Sequence, residues 1–134
     1  MLHRILIADD SDSSRTALAA LLAAHGFLVE QAVDGSHALQ RLMVDRFDVT
    51  LLDVHMPSLT GIEVLAHLSR SGMSVPSILM TGRPSREIEM AALEFGAFAM
   101  LRKPIPAEIL RLTIRQIVTR DDGAAPSWGG PGTA

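Results

Sequence analysis

The sequence predicts an α/β fold in which five β-α units build one parallel sheet. Short apolar runs alternate with amphipathic segments along the chain, and the connections between them are short. Strict alternation of this kind implies right-handed crossovers and helices on both faces of the sheet. At 134 residues with 48% hydrophobic content, the chain has the size of a single domain with a buried core.

The strands are predicted from runs that are almost continuously apolar, as expected for a sheet covered on both faces. In chain order these runs are RILIA (4–8), FLVEQA (27–32), FDVTLLD (47–53), SVPSILM (74–80) and AFAML (97–101).

The helices are predicted from residues that recur at helical spacing between the strands, over 12–25, 36–45, 60–70, 84–95 and 105–120. The periodic positions, helix by helix, are Leu18, Leu21 and Leu22; Ala38, Leu39, Leu42 and Met43; Ile62, Leu65 and Ala66; Ile88, Ala91, Ala92 and Phe95; and Ile109, Leu112, Thr113 and Gln116.

Local signals mark several helix ends. Thr60 and Glu63 have the spacing of a capping box at the start of the third helix, and a glycine follows both the first and the third helix. Pro84 and Pro106 are expected in the first turns of the fourth and fifth helices, where proline is tolerated.

The domain is predicted to span residues 1–120, followed by a flexible C-terminal tail over 121–134. The tail sequence, DDGAAPSWGGPGTA, is rich in glycine, proline and small residues and has no periodicity. We interpret Trp128 as incidental to this tail rather than as a docking anchor.

Composition excludes several classes of function. The chain has no cysteine, which excludes a disulfide framework, a thiolate nucleophile and a cysteine-ligated metal. A net charge of -3 and the absence of a basic run argue against direct nucleic-acid binding. No segment has the apolar length of a signal peptide or a membrane helix, so we expect a cytoplasmic protein without a membrane partner.

Five polar residues fall at the ends of four predicted strands. Asp9 and Asp10 follow the first strand, Asp53 ends the third, Thr81 follows the fourth and Lys103 follows the fifth. In a sheet of order 2-1-3-4-5 these strands are neighbours, and ligands bind at their carboxyl ends. Three carboxylates in one place are costly without a cation, and oxygen-only ligands favour Mg²⁺.

This combination predicts phosphoryl transfer to Asp53. A metal and Lys103 would neutralise charge on the phosphoryl oxygens, and Thr81 would donate a hydrogen bond to them. Lys103 is the only lysine among twelve basic residues, and its compact ammonium suits a narrow crevice better than a guanidinium does. Taken singly, the carboxylates could instead cap a helix or face solvent.

These motifs resemble those of the receiver domains of two-component response regulators, across about residues 3–120. The matching segments are ADD (8–10), LLDVHMPSLTGIE (51–63), LMTG (79–82) and GAFAMLRKPI (96–105). The segments ADDSDSSR (8–15) and DVHMPSLTGIEV (53–64) look closer to the receivers of hybrid histidine kinases than to those of DNA-binding regulators, and we expect a stand-alone signalling module without its own output domain. The peptide bond between Lys103 and Pro104 is expected to be cis, as is typical of the family.

The resemblance implies a flavodoxin-like fold and a role in phosphorelay signalling. Asp53 would accept a phosphoryl group from the phosphohistidine of a sensor histidine kinase or a phosphotransfer protein, and phosphorylation would drive a conformational switch. Asp10 and Asp53 would ligate Mg²⁺ directly, Asp9 mainly through water, and the backbone carbonyl of His55 would complete the protein ligands. The chain would be no enzyme beyond catalysing its own phosphorylation and dephosphorylation.

The sequence departs from the family pattern near the fifth strand. Met100 stands where the family usually has a switch tyrosine or phenylalanine, and it follows Phe98 and Ala99. The last helix's second apolar row, together with Phe98 and Met100, could form an apolar face for a homodimer or an effector protein, or could be ordinary core. That row consists of Leu110, Ile114, Ile117 and Val118.

Two further residues occupy variable positions close to the predicted site. Arg83 could pair with the phosphoryl group and lengthen its lifetime, or could simply face solvent. The side chain of His55 need not face the metal, because only its carbonyl is required. The other histidines show no paired-ligand spacing; they are His3, His25, His37 and His67.

Three other functions remain open from the residues. An aspartyl-phosphate phosphatase of the haloacid-dehalogenase type would need a carboxylate two residues after Asp53, where this chain has His55. A flavodoxin-like FMN binder would need a phosphate loop after the first strand, where carboxylates would repel phosphate. A receiver that serves only as an unphosphorylated scaffold is the third.

Overall fold

The alternation of apolar runs and amphipathic segments produces five strands and five helices in strict β-α order. The computed structural model describes residues 2–121, so the predicted tail beyond Asp121, including Trp128, lies outside the described residues. The elements are β1 (Arg4–Ala8), α1 (Asp12–Ala24), β2 (Leu28–Ala32), α2 (Gly35–Val44), β3 (Val49–Asp53), α3 (Gly61–Arg70), β4 (Ser77–Thr81), α4 (Arg86–Glu94), β5 (Ala99–Arg102) and α5 (Ala107–Asp121).

The strands form one parallel sheet in the order β2-β1-β3-β4-β5, which confirms the predicted topology. The register aligns their carboxyl ends, since Ala8 of β1 pairs with Leu52 of β3, and Thr81 of β4 pairs with Arg102 of β5. Residues that end or follow these strands therefore lie along one edge of the sheet.

Two apolar cores cover the sheet, because successive residues of a strand point to opposite faces. On β1, Leu6 and Ala8 pack on the side of α2, α3 and α4, whereas Ile5 and Ile7 pack on the side of α1 and α5. All four side chains are fully buried. Burial on both faces explains why the strands read as continuous apolar runs rather than alternating ones.

The first turn of α3 is capped as predicted. The Thr60 hydroxyl accepts a hydrogen bond from the Glu63 amide at 3.1 Å, and the Glu63 carboxylate accepts one from the Thr60 amide at 2.9 Å. The glycines after α1 and α3, Gly26 and Gly72, adopt φ values of 91° and 71°. These left-handed conformations explain why glycine ends both helices.

Other predicted boundaries were wrong by a few residues. Pro84 lies outside α4, because the Ser85 hydroxyl caps the helix by accepting from the Ile88 amide. Pro106 likewise precedes the first residue of α5. The fourth strand begins at Ser77 rather than at residue 74.

The second apolar row of α5 belongs to the core, so of the two alternatives that the sequence left open the structure supports ordinary core packing. Its four members are buried against the sheet beside α1, and they are Leu110, Ile114, Ile117 and Val118. Phe98 packs against this same core, whereas Met100 packs against the core on the opposite face. In the fourth and fifth helices the large apolar side chains that are exposed are Met90, Leu93, Ile109 and Leu112.

Among residues 2–121, no helix combines the length and apolar character needed to cross a membrane.

Candidate functional site

The polar residues predicted at the strand ends meet at the carboxyl edge of the sheet. Asp53 is the last residue of β3 and Thr81 the last of β4, while Asp9 and Asp10 follow β1 and Lys103 follows β5. Asp9, Asp53 and Thr81 are buried, whereas Asp10 is exposed and Lys103 is partly buried.

Lys103 joins the two buried carboxylates. Its Nζ donates to Asp9 Oδ2 at 2.8 Å and to Asp53 Oδ2 at 2.9 Å, and 24% of its side chain is exposed. The Lys103 amide donates to the carbonyl of Thr81 at 2.8 Å, which ties the start of the β5–α5 loop to the end of β4. The Lys103–Pro104 peptide bond is cis, as the resemblance predicts.

Asp9 makes hydrogen bonds through both its carboxylate and its backbone amide. Its Oδ1 accepts from the Ser11 amide at 2.9 Å, and its own amide donates to the carbonyl of Ala32 at 3.2 Å. Because Lys103 donates a hydrogen bond to the other carboxylate oxygen, the orientation of the buried Asp9 side chain is fixed.

The three carboxylates lie close enough to share a cation. One oxygen from each of Asp9, Asp10 and Asp53 lies within 4.8 Å of the others. Mg²⁺ prefers carboxylate and water oxygens as ligands and usually keeps several of its waters. The oxygen-only donor set, with one exposed member open to solvent, therefore fits Mg²⁺.

Burial and hydrogen bonding set the charges in the site. Burial raises the pKa of the Asp53 carboxyl, and hydrogen bonds from Lys103 and the His55 amide offset only part of this effect. Burial also acts to raise the pKa of Asp9, but hydrogen bonds from Lys103 and the Ser11 amide outweigh it and lower the pKa. Burial lowers the pKa of Lys103, but its bonds to Asp9 and Asp53 raise it further than burial lowers it. Lys103 therefore carries a positive charge at neutral pH.

The loop after β3 sets the orientation of Asp53. The His55 amide donates to Asp53 Oδ1 at 3.1 Å, while the His55 side chain is exposed. Gly61 begins α3 directly against the end of β3, and a Cβ atom there would come within 2.5 Å of the Asp53 carbonyl oxygen. Glycine is thus required at this position to bring α3 against the strand that carries Asp53.

Thr81 presents a buried hydroxyl at the end of β4. Its Oγ1 accepts a hydrogen bond from the Arg83 amide at 3.0 Å. The Arg83 side chain itself is exposed. Because the hydroxyl is already oriented as an acceptor toward the loop, its hydrogen is free to point toward another acceptor.

Arg15 and Gly35, which no pattern in the sequence singled out, both support the loops of the site. Arg15 is a buried arginine on α1 whose guanidinium donates to the carbonyl of Asp9 at 2.9 Å. Gly35 begins α2 against the loop after β3, and a Cβ there would come within 1.9 Å of the Leu59 carbonyl oxygen. The signal for Arg15 was its position on the core stripe of α1, four residues before the buried Ala19.

An apolar depression lies next to Lys103. Its walls come from α1 and from the β5–α5 loop, through Ala17, Leu18, Pro104 and Ile105. This depression is the apolar surface that adjoins the polar site.

Comparison with known proteins agrees with this architecture. The family model described as response regulator receiver domain matches residues 5–115. Response regulator MprA from Mycolicibacterium vanbaalenii is 39% identical over 127 residues, which cover 92% of this chain and 55% of that protein. MprA from Mycobacterium leprae is 40% identical over 126 residues, with the same shares covered. The chain thus spans about half the length of the curated relatives it matches.

Solved structures show the same fold. A CheY-like receiver domain protein from Methanospirillum hungatei superposes with a TM-score of 0.83 at 29% identity, covering 92% of this chain and 100% of that one. Chemotaxis protein CheY4 from Vibrio cholerae superposes with a TM-score of 0.81 at 32% identity, covering 87% of this chain and 99% of that one. Family match, identity to relatives and shared fold agree, and the chain belongs to the response regulator receiver domain family.

Proposed function

We propose that Asp53 accepts a phosphoryl group from a phosphohistidine in a Mg²⁺-dependent reaction. The observation that carries this proposal is the placement of the Lys103 ammonium between Asp53 and Asp9, beside the exposed Asp10. A carboxylate nucleophile, a fixed cation and a carboxylate cluster that fits Mg²⁺ are the parts that phosphoryl transfer requires.

In the proposed reaction, a carboxylate oxygen of Asp53 forms a bond to phosphorus as the phosphorus–nitrogen bond of the phosphohistidine breaks. The leaving imidazole keeps the electron pair and takes up a proton. Lys103 stabilises the charge on the phosphoryl oxygens, and the Thr81 hydroxyl donates a hydrogen bond to one of them. Bound Mg²⁺ would neutralise further phosphoryl charge.

The proposed metal ligands are the carboxylates of Asp10 and Asp53 and the backbone carbonyl of His55. Asp9 would act mainly through a water molecule, as the family resemblance implies, while the Ser11 amide and Lys103 hold its carboxylate in place. Its low pKa supports this role, because an ionised Asp9 adds to the negative charge that attracts the cation.

A conformational switch in this chain would use Met100 in place of an aromatic residue. Thr81 is linked to β5 through the hydrogen bond from the Lys103 amide, and Met100 lies half-buried in the middle of β5. When Thr81 moves toward a phosphoryl group, the flexible Met100 side chain can repack against the core that contains Leu79. This would carry the change from the site to the edge of the sheet.

The proposed partners are a sensor histidine kinase or phosphotransfer protein, and a homodimer or effector that contacts the last two helices. The donor would enter beside Lys103, where Leu18 and Ile105 contribute to the apolar depression. On α4, Met90 and Leu93 are 61% and 81% exposed and lie one helical turn apart. They give the face of the last two helices an apolar patch that a homodimer or effector could contact. We place these events in the cytoplasm.

Intact-mass measurement tests the proposed function. The protein is incubated with acetyl phosphate and Mg²⁺, and the wild type is compared with Asp53→Asn. We expect the wild type to gain one phosphoryl group that is lost at alkaline pH, and Asp53→Asn to gain none. Equal gain by both proteins would refute Asp53 as the acceptor. No gain by either protein would favour the alternative of a receiver that serves only as an unphosphorylated scaffold.

The site gives no support to the two alternatives of a haloacid-dehalogenase-type phosphatase and a flavodoxin-like FMN binder. The position two residues after Asp53 presents only the His55 amide toward the carboxylate, and the His55 side chain is exposed. The β1–α1 loop presents Asp9 and Asp10 where an FMN phosphate would have to bind. Family membership likewise favours the receiver function.

A further inference from the structure

We infer that Arg15 is a positioning residue for the Mg²⁺ site: its guanidinium fixes the backbone at Asp9 and thereby orients the acidic pair. The inference rests on the proposed function, because it concerns the same metal site. Arg15 has an exposed fraction of only 8%, although it is a charged residue in the first half of α1. Such burial of a charge is costly unless the group makes specific hydrogen bonds.

The guanidinium joins three different segments of the fold. Its Nη1 donates to the Asp9 carbonyl at 2.9 Å, its Nε donates to Gln31 Oε1 at 2.9 Å, and its Nη2 donates to Asp12 Oδ1 at 2.6 Å. These acceptors belong to the β1–α1 loop, the end of β2 and the first turn of α1. One planar side chain therefore locks the loop that carries the acidic pair to the strand beside it.

Arg15 supplies the anchor of the Asp9 backbone carbonyl. The Asp9 carboxylate is held by Ser11 and Lys103, and its amide is held by Ala32, but its carbonyl is held by Arg15. Asp10 follows directly and its side chain is exposed, so the direction in which its carboxylate points depends on the peptide plane that Arg15 holds.

Lysine could not replace Arg15 fully. A guanidinium presents its donors in a rigid planar fork, whereas an ammonium is a single point charge on a flexible stem. The three acceptors of Arg15 lie on three different segments, and only a guanidinium can donate to all of them at once. β2, which brings no reactive residue to the site, would then contribute through Gln31.

The test measures Mg²⁺ binding by the full chain. The amide chemical shifts of residues 9–11 are followed by NMR during titration with MgCl₂, without any phosphodonor. Arg15→Met is compared with the matched variant Arg41→Met, which removes a partly buried arginine of α2 that pairs with Glu30 and Asp45 away from the site. Groups that orient metal ligands typically change metal affinity by about 10- to 100-fold, so we expect Arg15→Met to weaken Mg²⁺ binding about tenfold. Arg41→Met should bind as the wild type does.

Two further variants separate positioning from general stability. Arg15→Lys should give an intermediate affinity, and Gln31→Leu, at an exposed position, should weaken Mg²⁺ binding in the same direction but less. Gln31→Leu also serves if Arg15→Met does not fold. A merely structural role would lower the melting temperature without Mg²⁺ but leave the Mg²⁺ affinity of the folded protein unchanged.

Phosphorylation at saturating Mg²⁺ adds a second readout. Because Arg15 touches neither Asp53 nor Lys103 in the hydrogen bonds it makes, Arg15→Met should regain the wild-type extent of phosphorylation when Mg²⁺ is saturating. Wild-type Mg²⁺ affinity in both Arg15→Met and Gln31→Leu would overturn the inference while leaving the proposed function intact. A wild type that binds no Mg²⁺ would overturn both.

Discussion

Removing Lys103 should destabilise the protein in the absence of Mg²⁺. Lys103→Met keeps most of the side-chain volume but leaves the buried Asp9 and Asp53 carboxylates without their shared cation, at positions where Nζ now lies 2.8 and 2.9 Å away. Two neighbouring carboxylates would then repel one another without a cation between them.

The expected magnitude follows from the burial of the three groups. Removing one partner of a buried ion pair costs about 3–5 kcal/mol. Because 24% of the Lys103 side chain is exposed, water can reach the site, and we expect the lower end, about 3 kcal/mol. For a domain of this size, each kcal/mol lowers the melting temperature by roughly 4 °C, so the loss is roughly 12 °C.

The assay is urea unfolding in a Mg²⁺-free buffer at pH 7, with Arg102→Met as the control. Arg102 is the adjacent cation and is exposed, so its removal changes the net charge equally without touching the site. In an Asp53→Asn background, Lys103→Met should cost only about 2 kcal/mol, because one charged hydrogen bond is lost rather than two. Equal stabilities of Lys103→Met and Arg102→Met would refute the assignment of Lys103 as the cation that holds the two carboxylates.

Three further predictions concern the support of the site and the stability of the fold. Gly61→Ala should destabilise by about 1–3 kcal/mol in urea unfolding, since the added Cβ meets the Asp53 carbonyl at 2.5 Å; wild-type stability would show that α3 can shift without cost. Hydrogen bonds from Arg4 and Arg41 lower the pKa values of Asp45 and Glu30. The ionised carboxylates therefore stabilise the fold at pH values above the ordinary carboxyl pKa, and this stabilisation is lost as the pH falls. Thermal unfolding of Asp45→Asn should accordingly depend less on pH than that of the wild type below about pH 4. Ser85→Ala should lower the free energy of unfolding in urea by about 1 kcal/mol, because Ser85 is the N-cap of α4. An unchanged free energy of unfolding would contradict the capping role.

The order of the strands and the place of the site could be predicted because both depend on features that the chain encodes locally. Apolar runs such as the one ending at Asp53 gave the strands, and the parallel arrangement then brought the strand-end residues Asp9, Thr81 and Lys103 to one edge. Capping at Thr60 was predictable for the same reason, since a capping box lies within four consecutive residues.

Features that depend on contacts between distant segments could not be read in this way. The spacing of Ile114 and Ile117 showed an apolar row on α5, but spacing alone does not say whether a row faces the sheet or solvent. The requirement for glycine at position 35 appears only when the Leu59 carbonyl is found against it.

Arg15 shows a third kind of difficulty. A charged residue in a helix is usually assigned to the exposed face, yet this one lies on the stripe that includes Ala19 and Leu22. Two of its three hydrogen-bond partners, the Asp9 carbonyl and the Gln31 side chain, are a backbone group and an exposed polar side chain, whose contacts no sequence pattern predicts. Only the packed structure brings these groups together.

The most direct test of the central claim is to locate the phosphoryl group after transfer from a phosphorylated histidine kinase or phosphotransfer protein. Reduction of the acyl phosphate with borohydride converts the modified aspartate to homoserine, which tandem mass spectrometry assigns to one position. We expect modification at Asp53, dependent on Mg²⁺ and absent in Asp53→Asn. Modification at Asp9 or Asp10 instead, or transfer to Asp53 that proceeds equally well without a divalent cation, would contradict the account.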